Sequence, residues 1–228
     1  MNVPLLVAIS GPHGAGKSRL AVEVGRALRD RGLETSTAYL YGCVICRRAP
    51  ANLRDLALRR DAQPAARSRP GPLRRAAYAA HALIDVAELA VRIGWMRVTR
   101  GGRVIITDRG PVDGIAKHGL ESPSVAESAY RRLARGFDAT FVLDAPAPLL
   151  RSRVETDGRQ RLGGLVGTVT ESEANASFEF VRRRYDDTLV RLGCAERLDM
   201  QGLSLDEATA IVVGRIEVLL GRRGAAPR

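Results

Sequence analysis

Residues 10–18 read SGPHGAGKS, three glycines followed by a lysine and a serine. Gly11, Gly16, Lys17 and Ser18 fit the spacing G-x-x-x-x-G-K-[ST], whose chemistry is the capture of phosphate. Glycines let successive backbone N–H groups turn toward one anion, and a helix that starts there adds its partial positive charge. In that geometry Gly11, Pro12, His13, Gly14, Ala15 and Gly16 would wrap the phosphates of a nucleotide, with Arg19 following in the first helical turn. Lys17 reaches the β- and γ-phosphates, and the Ser18 hydroxyl ligates Mg²⁺. Lys17 is one of only two lysines in the chain, the other being Lys117, so a lysine at this position is not a product of composition.

A second candidate is Asp108-Arg109, at the end of RVIITDRG. A carboxylate at a strand's carboxyl end can hold a metal-bound water or take the proton of an attacking hydroxyl. The adjacent guanidinium can clamp an anion with two parallel hydrogen bonds. A strand-end salt bridge is the plainer alternative. A third stretch, LDAPAPLLRSRVETDGRQRLGG, brings Arg151, Arg153, Arg159 and Arg161 into a segment with glycines. Arginines delivered by a closing lid would meet the charge that develops in phosphoryl transfer. The same residues also suit a solvated helix face.

The elements that must position these residues follow from patterning. Val3 to Ile9 is a short apolar run, read as a strand, and Arg19 to Arg31 places Leu20, Val24, Ala27 and Leu28 on one helical face. Thr35 to Tyr41 reads as a second strand and residues 51–60 as a short helix. The proline-rich stretch 61–72 reads as a mobile loop. Residues 73–99 form a long helix whose apolar positions Ala76, Ala80, Leu83, Ala87, Ala90 and Val91 are expected to pack on the sheet. Strands follow at RVIITD, ATFVLD and Glu196–Asp199, with a last helix from Leu205 to Leu220. Alternating strands and helices predict a parallel sheet covered on both faces, with ligands at the strands' carboxyl ends. The chain reads as one domain spanning 1–228, with a lid near 153–177.

Composition narrows the classes. The chain has 228 residues, 45% hydrophobic and 27% charged, as expected of a globular cytoplasmic protein with no membrane segment. Cys43 and Cys46 form a lone C-x-x-C without a second pair, and Cys194 and the three histidines are scattered, which does not make a zinc site. The net charge of +11 rests almost wholly on arginine, crowded between Arg47 and Arg75 with Asp55 and Asp61 the only acids there. That crowding suits a solvated face, a polyanion patch or a site for a phosphorylated ligand. Aromatic residues at 4% leave nothing to stack bases on, so nucleic acid is not the favoured partner.

The order of these stretches, with VRRRYDD and the tail ERLDMQGLSLDEATAIVVGRI, resembles the thymidylate kinase family of P-loop nucleotide kinases over most of the chain. The resemblance implies a P-loop NTPase three-layer sandwich, a five-stranded parallel sheet with helices on both faces and an arginine-bearing lid, commonly as a homodimer. It implies ATP and Mg²⁺ at Gly11 to Ser18, with Lys17, Asp108, Arg109, Arg159 and Arg161 catalytic, Ser18 and Asp108 at the metal, and Arg153 near the adenine. Arg109 and the long helix, through Tyr78, His81 and Asp85, would face the acceptor. That helix reads AAYAAHALIDVAELAVRIGW and lacks the family's acceptor motif, and Gly110 stands where an aromatic residue is usual. The implied function is transfer of the γ-phosphate of ATP to a nucleoside monophosphate or nucleoside-like acceptor. Two alternatives stay open: a sugar, antibiotic or other metabolite kinase on the same scaffold, and a non-catalytic nucleotide switch or polyanion-binding ATPase.

Overall fold

A computed structural model describes residues 3–40, 72–100, 103–118, 124–156, 171–193 and 195–224. Five strands form one parallel sheet: β1 (Leu5–Ser10), β2 (Thr35–Tyr39), β3 (Val104–Asp108), β4 (Ala139–Asp144) and β5 (Glu196–Asp199), in the order β2-β3-β1-β4-β5. Among the described residues seven helices join or flank them. They are α1 (Lys17–Asp30), α2 (Pro72–Thr99), α3 (Pro111–His118), α4 (Val125–Ala134), α5 (Ala147–Thr156), α6 (Glu171–Leu192) and α7 (Leu205–Gly224).

The pleat of β1 sorts its side chains to two cores. Leu5, Val7 and Ile9 pack with Leu20, Val24 and Leu28 of α1 and with Val212 and Ile216 of α7. Leu6 and Ala8 pack on the other face with Ala82, Val86, Leu89 and Ile93 of α2 and with Tyr130 of α4. Every residue of β1 is buried, which is why it reads as an unbroken apolar run. In register, Ile9 of β1 lies beside Asp108 of β3 and Phe141 of β4. β1 is thus central, and the chain leaves it toward β2 and β3 on one side and β4 and β5 on the other. That is a topological switch point, where crossing connections open a crevice at the carboxyl ends.

Boundaries move by a few residues from the sequence reading: β1 spans Leu5–Ser10, α1 begins at Lys17, β2 ends at Tyr39 and α7 runs on to Gly224. The lid is bounded differently, since 153–156 close α5 and 171–177 open α6, while Arg159 and Arg161 lie outside the described residues. The expected helix at 51–60, Cys43, Cys46 and Cys194 also lie outside them, as does the loop expected at 61–72 up to residue 71, Pro72 belonging to α2.

The larger correction concerns α2. Its sheet-facing side chains are Ala82, Val86, Leu89, Ile93 and Met96, all buried. Ala76, Ala80, Leu83, Ala87 and Val91, expected in the core, are exposed. The helix is apolar on two opposite faces, and periodicity alone does not tell which one meets the sheet. Arginines set the choice. Arg92 donates to Tyr39 O at 2.7 Å, Arg100 to Thr37 O at 2.5 Å and Arg97 to Gly136 O at 2.6 Å.

α3 crosses α4 so closely that a Cβ on Gly114 would sit inside the ring of Tyr130, itself fully buried. Gly114→Ala forces that ring out of place at a cost of about 1–3 kcal/mol. The thermal unfolding midpoint followed by circular dichroism should fall by roughly 3–10 °C. An unchanged midpoint would show that α3 and α4 part easily here.

Candidate functional site

The loop between β1 and α1 is built on glycine conformations. Gly14 and Gly16 have φ of 79° and 93°, in the left-handed region, and Gly16 caps α1. Gly11 has φ 138° and approaches β4 so closely that a Cβ there would lie 2.5 Å from Leu143 O. Gly14 abuts Leu150 and Val154 of α5 in the same way. Side chains larger than hydrogen would lift the loop off β4 and α5. Ala15 and Pro12 are buried, His13 is exposed at the tip, and Arg19 is exposed on the first turn of α1.

Lys17 is only 6% exposed and donates to Pro12 O at 2.6 Å. Burial disfavours its charged form and Arg109 adds repulsion, while Asp113 and Asp108 pull the other way. The balance lowers its pKa from 10.5 to about 7. Ser18 Oγ donates to Asp108 Oδ2 at 2.5 Å, and the other oxygen, Asp108 Oδ1, is buried with no hydrogen-bond partner. Two hard oxygen donors beside an anion-sized loop, one of them unsatisfied, suit Mg²⁺, which keeps waters and takes one or two protein ligands. Among the described residues no group of three His, Cys, Asp or Glu is placed to hold a metal.

Asp113 was missed in the sequence reading. Arg109 has φ 80°, unusual for a residue with a Cβ, and its N–H donates to Ile9 O at 2.9 Å. The left-handed turn sends Gly110 into the start of α3, where Pro111 fills the first helical position. Asp113, two residues on, reaches back to accept from Gly110 N–H at 2.9 Å, the acid half of a capping box. It also accepts from Tyr185 Oη at 2.7 Å and Gly11 N–H at 3.4 Å and lies 3.6 Å from Arg109 Nη1. The signal was present as G-P-x-D directly after the strand.

Beyond Gly110 a small open cleft lies between α2, α3 and α4. Asp85, Glu88 and Arg92 line it from α2, and Asp113, Gly114 and Lys117 from α3. Asp85 accepts from His118 Nε2 at 2.8 Å and Tyr130 Oη at 2.9 Å, with Lys117 Nζ at 3.5 Å. Burial pushes its carboxyl up, but His118, Lys117 and Tyr130 outweigh it and hold Asp85 well below the usual carboxylate range. Of the expected acceptor residues, Asp85 reaches the cleft. His81 is not among its lining residues and sits edge-on to His118, ring centroids 5.2 Å apart. Burial first, then His118 and Lys117, lower the pKa of its ring. The Tyr78 side chain lies outside the described residues. Arg153 makes a long contact to Met200 O at 3.5 Å on the far side of the loop.

A second buried ion cluster fixes β4. Asp144 accepts from Arg182 Nε and Nη2 at 2.8 and 2.9 Å and from Arg197. Burial raises its pKa and these guanidinium hydrogen bonds lower it further, so Asp144 stays ionised. Arg182 comes from VRRRYDD, a stretch the sequence reading noticed only by resemblance.

No family model and no curated protein matches this chain.

The lowered pKa of Lys17 has a measurable consequence. Near pH 8 most of Lys17 is neutral in the free protein, whereas a bound triphosphate favours the ammonium form. Binding of ATP should therefore take up close to one proton at pH 8, and affinity should fall by up to about tenfold per pH unit above 7. Titration calorimetry in buffers of different ionisation enthalpy measures the uptake, and Lys17→Met should abolish it. Equal heats in all buffers would show that Lys17 is charged before the anion arrives.

Proposed function

We propose that this chain is an ATP-dependent phosphotransferase of the P-loop kinase type, similar to thymidylate kinases on its nucleotide side and divergent on its acceptor side. The observation that carries the reading is the convergence of three groups at one strand edge: buried Lys17, the Ser18–Asp108 pair, and the cleft that begins at Gly110. A phosphate donor in the glycine loop and an acceptor in the cleft would then meet at Asp108 and Arg109.

In this reading the loop N–H groups and Lys17 bind the β- and γ-phosphates, so positioning and charge stabilisation supply most of the rate. Ser18 and Asp108 would hold Mg²⁺, which would supply neutralising charge to the phosphates. An acceptor hydroxyl attacks the γ-phosphorus, a new P–O bond forms, the β–γ bridging bond breaks, and ADP leaves. Asp108 orients the acceptor oxygen and takes its proton. Arg109, buried at 7% exposure, holds anionic charge between the two sites.

The cleft favours an acceptor with hydroxyl groups. Among the described residues the cations that line it are already matched by carboxylates: Lys117 with Asp85 and Arg92 with Glu88 at 3.8 Å. Asp85 and Glu88 suit hydroxyl donors, as on a nucleoside or a sugar, better than a second phosphate.

The test is coupled ADP formation across nucleosides, nucleoside monophosphates and sugars, with Asp108→Asn and Lys17→Ala beside the wild type. Asp108→Asn keeps the shape and removes the charge, so transfer should fall by about 10²-fold or more while ATP binding survives. Lys17→Ala should abolish turnover. Full acceptor phosphorylation by Asp108→Asn would reduce Asp108 to a structural partner of Ser18. ADP formation indifferent to every acceptor would turn the reading toward an ATPase or switch.

A further inference from the structure

Gly11, the first residue of the glycine loop, is pressed between two walls. On one side is β4: a Cβ on Gly11 would lie 2.5 Å from Leu143 O and 3.2 Å from Leu143 N. On the other is the start of α3, where Asp113 Oδ1 accepts from Gly11 N–H at 3.4 Å. Both walls are also held by α6. Asp144, the residue after Leu143, takes Arg182 Nε on Oδ1 at 2.8 Å and Arg182 Nη2 on Oδ2 at 2.9 Å. Such a two-pronged pair fixes direction as well as distance. Asp113 takes Tyr185 Oη at 2.7 Å, on the same Oδ1 that meets Gly11. The Tyr185 ring lies in one buried cluster with Val112 and Ala116 of α3 and Val142 of β4. Arg182 and Tyr185 are three residues apart, neighbours along one side of a helix.

We propose that Arg182 and Tyr185 are positioning residues for the glycine loop: their spacing on α6 sets the gap between β4 and α3 in which Gly11 sits. With the gap they set the aim of the loop N–H groups at a phosphate, so the inference rests on the reading of that loop as the phosphate-donor site. A helix suits the task because its rise is fixed by its own hydrogen bonds, about 4.5 Å over three residues. Tyr185 acts through Asp113, and Arg182 through Asp144. Without the tyrosine hydroxyl, Asp113 Oδ1 would keep only the long bond from Gly11 and Arg109 Nη1 at 3.6 Å. A carboxylate at that depth turns to recover its hydrogen bonds, and Gly11 moves with it. Arg184, between the two, serves the other end of α3. It donates to Ala116 O at 3.4 Å and Lys117 O at 3.2 Å. One short stretch thus contains two residues that bear on Gly11 and one that holds the same helix elsewhere.

Two measurements on the full chain test the proposal. One is hydrogen exchange of the loop amides in the free protein, read on peptides that cover residues 10–17. The other is affinity for ATP with Mg²⁺ by titration calorimetry. Tyr185→Phe keeps the ring among its apolar neighbours and removes the hydroxyl alone, so it should speed loop exchange and weaken ATP about tenfold. Asp113→Asn should weaken ATP at least as much. Adding Tyr185→Phe to Asp113→Asn should cost no further affinity, because both act through one oxygen. Arg182→Lys keeps the charge and loses the second prong. It should change both readings in the same direction, and it carries the test if Tyr185→Phe does not fold. Arg184→Gln should leave both readings within about twofold of the wild type. Wild-type loop exchange or wild-type ATP affinity in a folded Tyr185→Phe or Arg182→Lys overturns the proposal. So does an additive double variant, or an Arg184→Gln chain whose loop loosens as much. A wild type that binds no ATP at millimolar concentration, with loop exchange still faster in Tyr185→Phe, would overturn the donor-site reading and keep the spacing role.

Discussion

A single carboxylate, Asp113, holds the candidate site together. It is 4% exposed, and an ionised group at that depth is stable only if its oxygens are satisfied. Its satisfaction comes from three separate parts of the chain: Gly11 at the start of the glycine loop, Gly110 at the end of β3, and Tyr185 on α6. The guanidinium of Arg109 offsets the charge. Loop, strand end and helix are thus tied to one point by hydrogen bonds, each of which would leave a buried group unpaired if broken. The donor and acceptor halves of the proposed reaction share this point, so their spacing is set by rigid elements on both sides.

The backbone at Arg109 follows from that arrangement. A left-handed conformation costs a residue with a Cβ about 1 kcal/mol or more, and glycine would adopt it without strain. The position keeps arginine, and its guanidinium ends beside Asp113 and close enough to Lys17 to lower that lysine's pKa. Burial and then the neighbouring Arg109 favour the neutral form of Lys17, so in the proposed reading an arriving polyphosphate would recharge it. Asp108 has one oxygen on Ser18 and the other buried without a hydrogen-bond partner.

Most of the scaffold was legible in the sequence because its signals are local. VIITD and ATFVLD are buried on both faces of a parallel sheet and read as apolar runs, and the glycine loop is recognised by spacing. Asp85 was reached by resemblance, yet what it does was not legible. Its partners His118 and Tyr130 lie 33 and 45 residues away, and only the crossing of α2, α3 and α4 brings them together. His81 looked equivalent to Asp85, one turn earlier on the same helix. It lies on the same helix face, against the ring of His118 and outside the cleft lining. Tyr185–Asp113 and Arg182–Asp144 are likewise long-range pairs between groups that look like ordinary helix-surface residues until the fold buries them.

The misreading of α2 is the most informative, because the pattern used was real and was assigned to the wrong partner. An amphipathic helix shows one apolar stripe, and α2 shows two on opposite sides. The buried stripe, Ala82 to Met96, binds the helix to the sheet, and arginines at 92, 97 and 100 pin it to backbone carbonyls. Among the described residues the outward stripe has no such partner. Between the two, on the flank, stand Asp85, Glu88 and Arg92, which line the cleft. The helix that lines the cleft is held by the sheet on one face, and a roll of even a few degrees would shift the Asp85 carboxylate relative to His118 and Tyr130.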